Sequence, residues 1–294
     1  MNSETVIDVE RLNVRYDEFH AVKDLTFEVR RGELYALLGT NGAGKTSTLE
    51  VVEGHRASSS GKVTILGEDP RNRKAVRPRM GIMLQESGFS ADLSARETVT
   101  LIGGLTGRTD QPSRVLDVVA LTHKADTRVS ALSGGEKRRL DFATAIYGSP
   151  ELIFLDEPTT GLDVASRDDL WDVVDRLRED GATIVLTTHY LEEAQQRADR
   201  IGLMHEGTFR MQGTVSELTQ TLPGTISFHL PENAPQLPLE SSLSGNGKRL
   251  IETHGLQQDL YTLLAWAQEN RTELHDLDAG PTRLDDVFRS ITRN

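Results

Sequence analysis

The sequence predicts an α/β fold: a mostly parallel sheet with an antiparallel N-terminal β portion, a helical subdomain and a small C-terminal α+β appendage. Three observations carry that expectation. Short, unbroken apolar runs recur in "ELYALLG" (33–39), "ELIFLDE" (151–157) and "ATIVLTTH" (182–189), each bounded by turn or helix signals, as in strands buried on both faces of a parallel sheet. Between the second and third runs, Leu170, Val173, Val174 and Leu177 fall at i, i+3, i+4 and i+7, the stripe of a helix packed on a sheet. Residues 5–30 alternate apolar with polar in "TVIDVERLNVRY" and "LTFEVR", the period of half-buried antiparallel strands.

Each element follows from local chemistry. The run at 33–39 enters a Gly-rich turn and then the helix pattern "KTSTLEVVEG". "RNRKAVRPR" (71–79) puts five basic residues in nine and reads as a solvated loop before a strand. Ser94 and Glu97 have the spacing of a capping box for "ARETVTLIGGLTG", although Gly103 and Gly104 weaken that helix. "PSRVLDVVAL" is a further helix pattern, and no strong strand run falls in 86–131, which therefore reads as the helical subdomain. Gly181 stands where it would stop the helix beginning near Val164.

The composition changes after Leu222. "PENAPQLPLESSLSGNGK" holds three prolines among Ser and Gly, the makeup of a loop. The first domain is accordingly expected over 1–222, a linker and the start of the appendage over 223–247, and the accessory domain over 224–294. Within it, "TISFHL" and "KRLIETHG" are strand candidates. "QQDLYTLLAWAQEN" is amphipathic, with Leu256, Leu260, Leu263, Leu264 and Ala267 sharing a face.

Composition narrows the function. Hydrophobic residues are 37% of 294 and charged residues 27%, enough apolar material for a core and against wholesale disorder. The net charge of -12 disfavours sequence-independent binding to nucleic acid, which needs a basic surface. There is no cysteine, so neither disulfides nor thiolate metal sites can form. The N-terminus has early acids and lacks a secretory h-region, and no apolar run approaches the roughly 20 residues that span a bilayer. A cytoplasmic chain is expected, with no direct membrane insertion.

The chemistry concentrates in a few motifs. Gly39-x-x-x-x-Gly44-Lys45-Thr46 matches the phosphate-binding P-loop, with a strand before it and a helix after it. The loop Gly39, Thr40, Asn41, Gly42, Ala43, Gly44 would curl backbone N–H groups around a β-phosphate. Lys45 would reach the β- and γ-phosphates, Thr46 would ligate Mg²⁺ and Ser47 the α-phosphate. Asp156 and Glu157 stand at the end of a buried strand, the end that faces the ligand crevice in a parallel sheet. Asp156 would hold Mg²⁺ through water, and Glu157 would act as general base or orient the attacking water. "LSGGE" (132–136) is a second helix start shaped for phosphate. His189 follows the third buried run; the other seven histidines show no convincing ligand spacing, so no zinc site is expected.

Taken in order, GTNGAGKT (39–46), Gln85 in "IMLQES", LSGGE (132–136), LIFLDE (152–157), "PTTGLD" ending at Asp163, and His189 in "TTHY" resemble the ATP-binding subunits of ABC transporters. The resemblance runs over about residues 5–220. The ending "PTRLDDVFRSITR" is similar to the tail of the multidrug and antibiotic exporter subgroup (daunorubicin-resistance-like). The resemblance implies a P-loop NTPase core, the cofactors ATP and Mg²⁺, and a separate multi-span membrane permease holding the chain on the cytoplasmic face of the membrane. It implies that Tyr16 stacks on adenine, where a strand-face packing role fits the residues equally well. Gln85 would contact Mg²⁺ and couple to the membrane subunit, His189 would sense the γ-phosphate, and Asp163 would cross a dimer interface as well as cap a helix.

It further implies that Ser133, Gly134 and Gly135 complete the site of a second copy of the chain, giving an ATP-sandwich dimer. Glu136 departs from the family's usual glutamine. It is expected to cap its helix and face away from phosphate, because a carboxylate there would repel it. Soluble ABC-type ATPases acting on ribosomes or DNA are the competing reading. They usually carry two ATP modules or a long coiled coil, and this chain has one P-loop, one signature and no heptad array. A regulatory module with a dead site conflicts with the intact Lys45, Glu157 and His189.

Overall fold

The computed structural model describes residues 4–85, 88–220, 222–231, 233–245 and 247–292. Two compact units divide at 212/213, earlier than the composition break at Leu222.

In the first unit, β1 (Thr5–Tyr16), β2 (Phe19–Arg30) and β4 (Ser60–Ile65) form an antiparallel sheet in the order β2-β1-β4. The second sheet contains β3 (Leu34–Gly39), β5 (Met80–Met83), β6 (Leu152–Asp156), β7 (Thr183–Thr187), β8 (Arg200–His205) and β9 (Thr208–Gly213). Its order is β5-β6-β7-β3-β8-β9, and the first five strands in that order are parallel. The three apolar runs are thus three neighbouring strands, β6-β7-β3. β3 and β7 are buried along their whole length, because both sheet faces are covered.

Helix α1 (Lys45–Val52) follows β3. Its Leu49, Val51 and Val52 share one hydrophobic core with Ile7, Leu12, Val22 and Phe27 of the antiparallel sheet and with Tyr35, Leu37 and Phe154 of the parallel sheet. The phosphate loop therefore springs from the junction of both sheets.

The basic run is not a loop. It folds as α2 (Arg73–Val76) and a 3₁₀ turn, Arg77–Arg79. Arg71 pairs with Asp69 and Arg79 with Glu151, and Val76 is fully buried, so this segment packs rather than floats. Beyond Gly88, the insertion contains α3 (Ala95–Thr106) and α4 (Pro112–Val118); residues 86–87 lie outside the described residues. Both halves of the Ser94–Glu97 capping box form. Gly103 has a packing reason: a Cβ there would lie 2.2 Å from the Tyr147 ring.

Helices α5 (Gly134–Ile146), α6 (Val164–Glu179) and α7 (Leu191–Arg197) complete the unit. Leu170, Val173 and Val174 are buried as the periodicity requires, together with Trp171, while Leu177 is half-buried. Gly181 adopts φ +93 after α6, the left-handed stop that glycine allows.

The second unit comprises α8 (Val215–Thr219), β10 (Gly224–His229), β11 (Ser242–Leu243), β12 (Arg249–Thr253), α9 (Leu256–Glu269), β13 (His275–Gly280) and α10 (Leu284–Thr292). It starts ahead of Leu222 because α8, capped by Thr214, packs with α10. Its antiparallel sheet runs β11-β12-β10-β13. Within the segment expected to be linker, 224–229 is β10, an interior strand of this sheet, and 230–231 and 233–241 contain no helix or strand. Leu263 of α9 is buried with Ile226, Phe228 and Ile251, Leu256, Leu260 and Trp266 pack against that core, and Ala267 is buried, but Leu264 is 45% exposed. The apolar stripe thus includes Trp266 in place of Leu264. β13 was not expected from its sequence, "HDLDAG", which has no β-branched residue.

Candidate functional site

The parallel register brings the motifs together. Asp156 of β6 and Leu37 of β3 both pair with Thr187 of β7, so β6 and β7 end at one level and β3 two residues beyond it. Immediately beyond that level come the Gly-rich loop, Glu157 and His189. These are the carboxyl ends of the strands, where a parallel sheet opens its ligand crevice.

The loop from Gly39 turns sharply into α1. Gly44, its N-cap, has φ +99 and comes so close to the main chain that a Cβ would lie 2.6 Å from the Ala21 carbonyl; Gly42 has φ +78. Only glycine fits both demands at Gly44. Thr40, Asn41 and Ala43 complete the loop, and the N–H groups of Lys45, Thr46 and Ser47 begin the helix. Lys45 Nζ donates to the carbonyls of Gly39 at 2.7 Å and Thr40 at 3.2 Å. Burial holds its pKa below the ordinary lysine value, against the attraction of Glu157 and Asp156. An ammonium in that position gains from any anion brought near it.

Asp156 Oδ1 accepts a hydrogen bond from the Thr187 hydroxyl. Burial raises its carboxyl pKa, the direction expected when a charge leaves water. Glu157 is 8% exposed, with φ +51, an uncommon backbone region for a residue with a Cβ. Its N–H donates to the Thr187 carbonyl at 3.0 Å, and its Oε2 lies 2.6 Å from His189 Nδ1. Glu157 and His189 are thus a hydrogen-bonded pair, at the end of adjacent strands.

Tyr16 closes β1 beside α1. Its hydroxyl donates to Glu50 at 3.0 Å and lies 3.1 Å from Ser47 Oγ, while the Arg56 guanidinium sits 4.1 Å over its ring. It also packs against the core. Gln85 is exposed just after β5. Asp163 caps α6, accepting from Ser166 N–H at 2.8 Å.

Ser133 caps α5 in a second capping box: its Oγ accepts from Glu136 N–H at 3.2 Å, and Glu136 Oε2 accepts from Ser133 N–H at 2.7 Å. Glu136 also pairs with Lys124 at 3.2 Å, and the Ser133 N–H holds its carboxyl below the usual range. Glu136 is therefore occupied by its own helix start. A serine hydroxyl that accepts from one neighbour still has its proton to donate.

Three polar residues escaped the sequence reading. Thr187 holds Asp156. Glu193 is buried and accepts from Thr159 at 2.9 Å, linking the segment after Glu157 to α7. Arg138 donates to five main-chain carbonyls around Gln85, Asp156 and Glu157. No sequence signal marks Arg138: its neighbours on the helix include Asp141 as well as Phe142 and Ala145, and only the fold shows that all four are buried.

Known proteins align with this arrangement throughout. The profile of the ABC transporter family matches residues 22–160, and that of the C-terminal domain of ABC transporter domain-containing protein-like chains matches residues 224–282. The chain is 39% identical to the Nod factor export ATP-binding protein I of Bradyrhizobium diazoefficiens, covering 99% of this chain and 97% of that one. It is 34% identical to the daunorubicin resistance ATP-binding protein DrrA3 of Streptomyces coeruleorubidus, covering 99% and 96%. Among solved structures, an ATP-binding subunit of an ABC transporter superposes with TM-score 0.70 at 26% identity, over 74% of this chain and 93% of that one. A dimeric ATP-binding cassette bound to ADP and Pi shares the fold, with TM-score 0.66 at 23% identity, over 71% and 98%. Similarity to such subunits over nearly the whole chain, on a sheet that ends its strands around a phosphate loop and a buried glutamate, makes the chain a member of the ATP-binding subunits of ABC transporters and an ATPase.

Proposed function

We propose that this ATPase powers export of a drug, antibiotic or lipid-like substrate through a separate multi-span permease. In this reading two copies of the chain enclose two ATP molecules. Each nucleotide lies on Gly39–Ser47 of one copy, with Tyr16 against its adenine, and meets Ser133, Gly134 and Gly135 of the other, with Asp163 at the junction. Export and the substrate class rest on the names of the relatives, Nod factor export and daunorubicin resistance. The permease rests on membership of the ABC transporter family and on relatives that are ATP-binding proteins of exporters; among the described residues no helix is long and apolar enough to cross a membrane.

The observation that carries the hydrolytic role is the placement of Glu157. It is buried, one residue beyond Asp156, and bonded to His189 at 2.6 Å. A carboxylate so placed takes a proton from water as that water attacks the γ-phosphate, and His189 fixes its orientation. Lys45 Nζ, now on the Gly39 carbonyl, has phosphate oxygens as stronger acceptors.

For the two-chain site, the glycines speak. Gly134 would meet nothing within 4 Å on gaining a Cβ, Gly135 would meet only Leu162 at 3.8 Å, and neither has positive φ. The chain's own packing leaves this helix start open, which gives room for the close approach that the two-chain reading needs.

The residues also fit Mg²⁺. Thr46 hydroxyl, Gln85 amide oxygen and Asp156 carboxylate are hard oxygen donors, and a cation would offset the burial that raises the Asp156 pKa. When bound, Mg²⁺ would neutralise charge developing on the phosphates.

The test is Glu157→Gln. It should bind ATP and form an ATP-dependent dimer by sedimentation, with hydrolysis reduced about 10²- to 10⁴-fold. Near-normal turnover sinks the assigned role.

A further inference from the structure

Arg138 is 6% exposed in the second turn of α5. Its Nε donates to Pro158 O at 3.2 Å; one terminal nitrogen donates to Leu84 O at 2.7 Å and Gln85 O at 3.0 Å; the other donates to Asp156 O and Glu157 O, both at 2.6 Å. A guanidinium has five N–H donors, and here each has a carbonyl. The nearest carboxylate oxygen paired with it, on Asp141, is 4.0 Å away. Arg138 is thus held by main-chain dipoles, and it fixes backbone rather than side chains. Those carbonyls come from two segments, the one that follows β5 and the one that follows β6. Arg138 makes none of these bonds to the side chains of Gln85, Asp156 or Glu157, of which Asp156 is held by Thr187 and Glu157 by His189.

The same helix begins at Ser133, the residue read above as reaching the other copy's nucleotide. One rigid helix therefore carries a group aimed at one ATP and, about a turn and a half later, a clamp on the residues that serve the second. A shift of α5 must move both segments or break a set of buried bonds. Buried hydrogen bonds to a charged donor are costly to leave unmade.

We propose that Arg138 is a positioning residue coupling the two nucleotide sites: it transmits engagement of Ser133 by the partner's nucleotide to the main chain that holds Gln85, Asp156 and Glu157. This rests on the two-chain reading. In the two-chain site the two copies of α5 run the coupling in opposite senses, so each site informs the other and hydrolysis rises sigmoidally with ATP.

The test is a double-mutant cycle on the full chain with Ser133→Ala and Arg138→Lys, in which lysine keeps the charge but not the five-donor fork. The wild type should hydrolyse ATP with a Hill coefficient of about 2, the limit for two sites. Each single variant should lower kcat about tenfold and bring the Hill coefficient to about 1, while KM changes by less than about twofold. The double variant should be no slower than either single one. Losses that multiply, or cooperativity retained in Arg138→Lys, overturn the proposal. If Arg138→Lys fails to fold by circular dichroism, Arg138→Gln takes its place in the cycle with the same outcomes. ATP-driven dimerisation of Glu157→Gln separates the two readings: no dimer overturns the two-chain site itself, whereas a dimer with multiplying losses overturns only the role of Arg138.

Discussion

Thr187 shows what a single side chain contributes to this site. It is fully buried, its hydroxyl donates to Asp156, and its carbonyl accepts from the Glu157 N–H. It therefore orients both acids from the neighbouring strand. Thr187→Val keeps the volume but strands a buried acceptor. The expected loss is about 1–3 kcal/mol of stability in urea denaturation, with Thr187→Ser close to wild type; equal melting of both variants would remove the hydroxyl from the account. Sequence alone raised Asp156 and Glu157, because paired acids at the end of a buried strand are chemically distinctive, and His189 through its place after a third buried run and the family resemblance. It passed over Thr187 and Arg138, because a threonine in an apolar run and an arginine in a basic helix start look ordinary until their partners, 31 and 18 or more residues away, are known.

At the scale of elements, most of the fold was legible where a period or a cap is strong. The antiparallel pair at 5–30, the α6 stripe and the Ser94 capping box all formed. The basic run did not behave as a solvated loop, because Val76 within it is buried and Arg79 is drawn to Glu151. α3 illustrates why propensity alone misleads. Two adjacent glycines both weaken a helix in isolation, yet they do different things here. Gly103 admits the Tyr147 ring, whereas Gly104 faces open space. Gly103→Ala should cost about 1–3 kcal/mol through overpacking; Gly104→Ala should gain up to about 1 kcal/mol. Thermal melts of the two variants check this, and shifts in the same direction would show that the Tyr147 contact is not decisive.

At the scale of the whole molecule, nucleotide and fold are linked. ATP binds the native chain, so it raises unfolding free energy as its concentration exceeds Kd: by about 2.7 kcal/mol at a hundredfold excess. Lys45→Ala should lose most of that shift in calorimetry with ATP present, while its melting without ATP stays near wild type, since the two carbonyl contacts and the attraction of Glu157 and Asp156 that it gives up are offset by the cost of burying its ammonium. An undiminished ATP shift in Lys45→Ala would place the phosphates elsewhere. The two units have separate hydrophobic cores. The smaller one was only partly readable: its helix period and two of its strands stood out, but β13 has just Leu277 and Ala279 alternating with acids and no β-branched residue to announce it.

The sequence by itself determined the parallel sheet, the phosphate loop and the order of the acidic and histidine motifs, because each depends on side-chain types at short, regular spacings. The tertiary structure alone decided how those motifs meet. Strand order β6-β7-β3 sets Asp156 level with Thr187, left-handed backbone turns Glu157 towards His189, and the buried face of α5 aims Arg138 at five carbonyls. These are contacts between residues distant along the chain, and main-chain carbonyls carry no residue identity for a sequence to display.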